Sequence, residues 1–225
     1  MKPSIAILTV ATLAHSAVAA DRTGVLTDLS PTWDRPSQTG AIVNGDCNGV
    51  TASDSVNDAV AHEVFYFRAL KDGVTLDVKV SSLEPHPLDL DPFAAVYCAG
   101  FDPTDPLVNL LEIDDDGAGY PNAHAFGIAA LDTKKTYRIV VSSYSNWPRS
   151  QHGAFEVALG AGLAFVDPCP GDLADPIGTL NFFDVVEYLA LFSDQDPGAD
   201  LAAPFGVINF FDIVAYLDLF NQGCP

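Results

Sequence analysis

Four residues that suit a metal-binding loop recur in the same order twice near the end of the chain. They are Asp, Gly, Asn and Asp, and the matched pairs are Asp172/Asp200, Gly178/Gly206, Asn181/Asn209 and Asp184/Asp212. Carboxylate and amide oxygens on a flexible loop are the ligands that Ca²⁺ prefers. These Asp and Asn residues, together with Asp175 in the first loop, are therefore candidate calcium ligands.

The same loops depart from the spacing of an EF-hand-like calcium loop. Counted back from Asp184 as the twelfth position, the fifth position holds Ile177, and the second loop holds Phe205 there. Asp172 then lies one residue before the first position. The alternative is a metal-free loop that a proline stiffens, with the Ile or Phe in the core and Asn-Phe-Phe-Asp capping a helix. Both readings stay open at this point.

Each loop leads into an apolar segment with the spacing of a helix. The apolar positions recur at i, i+3, i+4, i+7 and i+10, and they are Phe182, Val185, Val186, Leu189 and Phe192, then Phe210, Ile213, Val214, Leu217 and Phe220. Neighbours on a helix point about 100° apart. We therefore expect Phe182 and Phe210 to be buried and Phe183 and Phe211 to be partly exposed. The alternative is that a second apolar face packs on the other helix.

Two such loop–helix units, with Cys-Pro at Cys169 and Asn-Gln-Gly-Cys-Pro at the end, resemble a GC-type dockerin module of planctomycete secreted proteins. The resemblance covers residues 169–225, and we call residues 166–225 the repeat module. It implies a small α-helical domain that attaches a passenger to a cohesin-like receptor. It also implies that the two positions before the last Asp of each loop help to choose the partner, and here these are Phe182-Phe183 and Phe210-Phe211. Since we expect Phe183 and Phe211 to be exposed, they are the candidate partner-binding residues.

Charge indicates what kind of receptor the repeat module would bind. No Lys or Arg follows Arg149, and nine carboxylates lie between Cys169 and Pro225. We expect an envelope receptor that is basic and has apolar pockets. The whole chain has 30 Asp and Glu against 10 Lys and Arg. This balance disfavours nucleic acid and anionic membranes as partners, because both are polyanions.

The first twenty residues have the pattern of a secretory signal peptide. Lys2 is followed by an apolar run from Ile5 to Ala14, and Ala17-Val18-Ala19 supplies a cleavage site. The run is too short to cross a bilayer, which takes about 20 apolar residues. We therefore predict a secreted chain, extracellular or attached to the cell surface, with no membrane span after cleavage.

Export would allow disulfides to form. The four cysteines permit three pairings, and none of them forms a C-x-x-C pair, which disfavours a zinc site. The simplest of the three pairings has one disulfide in each predicted domain. It predicts Cys47–Cys98 and Cys169–Cys224.

Residues 21–165, which we call the β-domain, have the pattern of β-strands. Val74 to Val80 alternates apolar and polar residues, TYRIVVS and AFEVALG do so as well, and EVFYFRA, FAAVYCA and HAFGIAA are further candidate strands. Turn signals such as KDG, DPTDP, DDDGAG and LDTKKT separate them. The spacing predicts a mainly β fold, an antiparallel sandwich.

The order of motifs in this domain resembles a pre-peptidase C-terminal domain over about residues 60–160. The motifs are FYFRALKDGVTLDV, LDPFAAVYC, LLEIDDDG and LDTKKTYRIVVSSY. The resemblance implies a jelly-roll-like sandwich. Some relatives bind calcium with Asp-rich turns, and the matching positions are Asp91, Asp114, Asp115 and Asp116. The alternative is a solvated turn whose carboxylates cap their own backbone.

Residue types that would support catalysis are scattered. The histidines at 62, 86, 124 and 152 lie one to a segment, and neither H-E-x-x-H nor G-x-S-x-G occurs. We therefore predict a non-enzymatic attachment protein. A loop with Tyr144, Trp147 and Arg149 could instead stack on sugars, as in a carbohydrate-binding module, or could cover the end of the sandwich. A third hypothesis is an accessory domain of a secreted hydrolase system.

Overall fold

The computed structural model describes residues 21–37, 59–86, 89–98, 100–144 and 152–224. Several predictions fall outside these ranges. They concern the signal segment 1–20, the Cys47–Cys98 bond through Cys47, and the loop residues Trp147 and Arg149. The division into a β-domain and a repeat module stays a prediction.

The described ranges contain ten β-strands followed by two α-helices. The strands are β1 (Arg22–Leu26), β2 (Thr32–Trp33), β3 (Val60–Ala69), β4 (Val74–Ser82), β5 (Pro92–Tyr97), β6 (Leu110–Asp114), β7 (Ala123–Leu131), β8 (Tyr137–Ser143), β9 (Gly153–Leu159) and β10 (Leu163–Val166). The helices are α1 (Phe182–Ser193) and α2 (Phe210–Gln222), with a 3₁₀ turn at Pro197–Ala199 between them. None of these helices has both the length and the apolar character that crossing a bilayer requires.

The strands form two antiparallel sheets. One has the order β1-β9-β4-β7, and the other has the order β10-β3-β8-β5-β6, with β2 also pairing with β3. Leu76 and Val78 of the first sheet share one hydrophobic core with Phe67 and Ile139 of the second. The predicted β-rich, antiparallel fold is therefore confirmed.

Two strands show how far the alternating pattern applies. Along β4, Val74, Leu76, Val78 and Val80 are buried and alternate with less buried residues, as predicted. Along β8 all seven residues are buried, not only the alternate ones. The reason is that β8 lies between β3 and β5, and the second face of this sheet is covered by a cluster that contains Val140.

The two loop–helix units pack against each other through a pair of tyrosines. The rings of Tyr188 and Tyr216 are stacked, with centroids 4.0 Å apart and 2° between their planes. Partly buried apolar residues surround the pair, among them Val185 and Phe220. The Cys169–Cys224 disulfide, with Cα atoms 5.2 Å apart, joins the two ends of this segment, which confirms that prediction.

Candidate functional site

The last aspartate of each repeat holds its own loop closed. In loop one (residues 172–184), Asp184 Oδ1 accepts hydrogen bonds from the backbone N–H groups of Leu173 and Ala174, both at 2.8 Å. Asp184 Oδ2 accepts from the N–H of Asn181 at 2.6 Å, which completes a capping box at the start of α1. In loop two (residues 200–212), Asp212 makes the equivalent three bonds at 2.7 to 2.9 Å.

In loop two these bonds also affect how Asp212 titrates. The N–H of Asn209, and then those of Ala202 and Leu201, hold the pKa of Asp212 below its usual range. A carboxylate that accepts three N–H groups is stabilised in its charged form. Both oxygens of Asp212 are hydrogen-bonded to the backbone.

The first aspartate of each repeat braces the glycine of its loop. Asp172 Oδ2 accepts from the N–H of Gly178, and Asp200 Oδ2 accepts from that of Gly206. Both glycines have positive φ, +90° and +86°, which favours glycine at this position. Each loop thus closes at Asp172 or Asp200, one residue earlier than the count back from the last aspartate places its first position.

One oxygen of each first aspartate has no hydrogen-bond partner among the described residues. These atoms are Asp172 Oδ1 and Asp200 Oδ1, and both are buried. Burial raises the pKa of Asp172, and the charges of Asp184 and Asp175 add to that effect, while the Gly178 N–H opposes it.

The oxygens of loop one do not fit a calcium ion. Asn181 Oδ1 accepts from the N–H of Phe183 at 2.8 Å, and Asp175 Oδ1 pairs with Arg138 Nη2 at 3.0 Å. Ca²⁺ takes six to eight oxygen ligands, whereas most oxygens here already serve the backbone or Arg138. Loop two has Ala203 in place of Asp175. The geometry favours the metal-free alternative for both loops.

One group of three potential ligands converges in the described part of the chain, and it is not a metal site either. Atoms of Cys169, Asp172 and Cys224 lie within 4.8 Å of one another. The two sulfurs, however, are joined in the disulfide. A metal binds thiolate rather than disulfide sulfur, so this group does not imply an ion.

The acidic turn of the β-domain caps its own backbone, which is the alternative considered from the sequence. Asp114 Oδ2 accepts from the N–H groups of Gly117 and His124, both at 2.7 Å. Asp115 Oδ1 accepts from the N–H of Asp116 at 2.8 Å. These bonds fix the turn that follows β6.

Asp91, which precedes β5, is electrostatically coupled to this turn. The pKa of Asp91 is raised to about 6, mainly by burial and then by the charges of Asp116 and Asp115, while Arg35 opposes the shift. Its Oδ1 atom is buried without a hydrogen-bond partner among the described residues. The turn therefore concentrates negative charge around a carboxyl that water does not fully solvate.

The phenylalanine pairs at the start of each helix are all exposed. Phe183 and Phe211 are 64% and 65% exposed, as predicted. Phe182 and Phe210 are 73% and 68% exposed, so the prediction that they are buried was wrong. The predicted apolar stripe combined residues that belong to two different faces of each helix.

The buried face of each helix centres on a tyrosine that the sequence analysis overlooked. Tyr188 Oη donates to Ala199 O, and Tyr216 Oη donates to Gly171 O, both at 3.0 Å. Their polar ends are therefore satisfied inside the module. The signal that could have found them was present, because the same tyrosine occurs at the same position of both repeats.

The remaining residues considered for chemistry each make contacts of their own. His62 is buried, and burial lowers its pKa. His124 Nε2 lies 2.9 Å from Asp77 Oδ1. In the proposed sugar-binding loop, Tyr144 is the described aromatic residue, and the Arg35 guanidinium lies 4.5 Å from its ring centroid.

Comparison with protein-family models, with curated proteins and with solved structures gave no match to this chain.

Proposed function

We propose that this chain is a secreted, non-catalytic protein in which a jelly-roll-like β-sandwich is attached to a receptor protein through a dockerin-like module. The observation that supports this proposal is a surface that both repeats leave exposed. The equivalent apolar pairs are Phe182/Phe210, Phe183/Phe211, Val186/Val214 and Leu189/Leu217. Exposed apolar side chains in a group are typical of docking surfaces. Aromatic residues in such groups often carry most of the binding energy.

The charge of the module indicates the chemistry of the receptor. Residues 169–225 carry nine carboxylates and no Lys or Arg. A cohesin-like or other envelope receptor with basic residues around apolar pockets would complement that charge. Charge of this kind acts mainly at the exposed rim of an interface, so salt should weaken the binding.

Calcium remains part of the proposal only at the acidic turn of the β-domain. Asp91, Asp114 and Asp116, together with Asp115, are the residues that would hold the ion. No three of their carboxylate oxygens lie within 4.8 Å of one another in the structure, so the ion would have to draw them together. The buried, unpartnered Oδ1 of Asp91 supports this assignment. So does the repulsion that Asp91 experiences from Asp115 and Asp116, since a divalent cation would offset it.

The decisive experiment is the double change Phe183→Ser with Phe211→Ser in the full chain. Wild-type chain is incubated with an envelope extract of the producing organism, the captured receptor is identified by mass spectrometry, and its affinity is then measured with purified proteins. Both rings are exposed, so we expect the variant to stay folded. We expect its affinity to fall by about 30-fold or more, the loss typical of aromatic anchors.

The matched control is Val25→Ser with Leu29→Ser, which removes two exposed apolar side chains from the β-domain. We expect this control to bind like the wild type. A folded Phe183→Ser/Phe211→Ser variant with unchanged affinity would contradict the proposal. If that variant unfolds instead, the two rings belong to the core and the docking surface lies elsewhere.

A further inference from the structure

The two loops of the module have the same internal construction. In each, the first aspartate accepts a hydrogen bond from the glycine N–H, and the last aspartate accepts three backbone N–H groups. A proline and then one large apolar residue precede each glycine: Ile177 in loop one and Phe205 in loop two. What differs between the loops is what lies against that residue.

Loop one is docked on the β-domain of its own chain. Ile177 is buried, and its carbonyl oxygen accepts a hydrogen bond from Thr136 Oγ1 at 2.8 Å. Asp175 pairs with Arg138 of β8. A Cβ atom added to Gly178 would clash with Val166 of β10. The chain thus contains one example of how such a loop binds a β-sheet surface, with an apolar plug and a hydroxyl that bonds the plug's carbonyl.

Loop two presents the equivalent plug largely exposed. Phe205 is 74% exposed, and Val207 is exposed as well. A Cβ atom added to Gly206 would meet no atom of the described residues within 4 Å. Residues 201–211 include no charged side chain, although the module has nine carboxylates. Loop two therefore has a larger plug than the loop that is already docked, and the residues between its two aspartates are uncharged.

From this asymmetry we infer that loop two is the module's docking site for a second protein, with Phe205 inserted into an apolar pocket at the rim of a β-sheet. A hydroxyl beside the pocket would bond the carbonyl of Phe205, as Thr136 bonds that of Ile177. The inference rests on the proposed function, because it names which end of the docking module meets the receptor. Ile177 of loop one is already buried within the chain, so Phe205 of loop two is the plug that is available to a partner.

The occupant is a different protein rather than a second copy of this chain. In a second copy the corresponding pocket is already filled by its own Ile177. That pocket also places Arg138 opposite position 175, where loop two offers Ala203 and so provides no carboxylate. An arginine without its partner would oppose the exchange, since a buried charge needs a counter-charge. The receptor pocket should therefore lack a cation at this position.

The test uses the full chain with a photoreactive benzoylphenylalanine at position 205. This chain is crosslinked while it is bound to the receptor that the wild-type chain captures. We expect an intermolecular adduct whose receptor peptide is an apolar segment of a β-strand or its rim. The same probe at Leu29, which is exposed in the β-domain, should give no adduct. In parallel, Phe205→Asp should weaken receptor binding by about 30-fold or more, the loss typical of an aromatic anchor.

The control Leu29→Asp adds the same charge to an exposed apolar position and should leave the affinity unchanged. Hydrogen exchange of the amides of α1 and α2 checks that each variant is folded. If the aspartate of Phe205→Asp disturbs the loop, Phe205→Ser replaces it as the test variant. Unchanged affinity of the folded variants, or an adduct to another copy of this chain, would overturn the inference. The proposed function survives that result if Phe183→Ser/Phe211→Ser still abolishes binding. If the wild-type chain captures no receptor at all, both proposals fail.

Discussion

Asp91 is one side chain that makes the stability of the β-domain depend on pH. Its carboxyl is more easily protonated in the folded state, where its pKa is about 6, than in an unfolded chain. A folded pKa that is raised contributes stability at low pH. That contribution is complete below the unfolded pKa of about 4 and is lost as the pH rises through about 6.

We therefore predict that Asp91→Asn, which cannot ionise, stabilises the protein at pH 8 relative to the wild type and has little effect at pH 4. The gain at pH 8 should be about 1 to 2 kcal/mol, which allows for partial solvation of the carboxyl. The measurement is urea unfolding at both pH values in buffer that contains a chelator. Asp105→Asn, at an exposed position, is the control. Equal effects of Asp91→Asn at pH 4 and pH 8 would refute the assignment.

The same variant tests calcium at the acidic turn. If Asp91, Asp114 and Asp116 hold the ion, millimolar calcium should raise the melting temperature of the wild type at pH 7.5, because a ligand that binds the folded state stabilises it. Asp91→Asn should lose most of that shift. A wild type whose melting temperature does not change with calcium would rule out the site.

At the scale of an element, helix α1 depends on the carboxylate that closes loop one. Asp184→Ala would leave the N–H groups of Leu173, Ala174 and Asn181 without their acceptor. We expect a loss of about 2 to 4 kcal/mol, since a lost cap and buried unpaired donors both contribute. Hydrogen exchange of the amides of α1 and α2 in the full chain would measure it.

The control for this prediction is Glu187→Ala, which removes an exposed carboxylate from the same helix. Changes at such positions usually stay within about 0.5 kcal/mol. If Asp184→Ala proved no more harmful than Glu187→Ala, the carboxylate would not be what holds the loop. If a chelator weakened wild-type α1 in the same way, loop one would hold a cation and the metal-free description would be wrong.

Helix α1 also shows why periodicity predicted the helix but not its buried face. Val185, Tyr188 and Phe192 lie toward the inside of the module, whereas Phe182 and Leu189 are exposed. Both sets have helical spacing, so either could have faced inward. Which face is buried depends on the second helix, because Tyr188 and Tyr216 stack on each other across the two helices.

At the scale of the whole molecule, the Cys169–Cys224 bond joins the ends of the repeated segment. It closes a loop of about 56 residues, and loop entropy gives such a bond about 4 kcal/mol. We predict that the double change Cys169→Ser with Cys224→Ser lowers the stability of the module by up to that amount and leaves the β-domain folded. A small module with few buried residues is sensitive to such a loss.

Hydrogen exchange separates the two parts of the chain in one measurement. Amides of α1 and α2 should lose protection in the serine variant, while those of β4 and β8 should keep it. Loss of protection in β4 to the same degree would contradict this expectation. It would mean that the docking of loop one through Thr136 and Arg138 makes the whole chain unfold as one unit.

The sequence by itself determined the features that repeat or alternate locally. Period-two runs such as Val74 to Val80 identified strands, since side chains on a strand alternate between faces. The duplicated Asp, Gly, Asn and Asp identified two loop–helix units, and the spacing of four cysteines identified one disulfide. Each of these signals depends on neighbours along the chain or on repetition.

Only the tertiary structure decided which contacts each of several similar loops or side chains makes. The sequence contains two similar loops, and Ile177 is buried with its carbonyl bonded by Thr136 while Phe205 stays exposed. It contains several candidate calcium oxygens, and the fold gives those of Asp184 and Asp212 to backbone N–H groups. The physical reason is the same in each case. A side chain's role depends on the groups that reach it from distant parts of the chain, and local pattern does not contain that information.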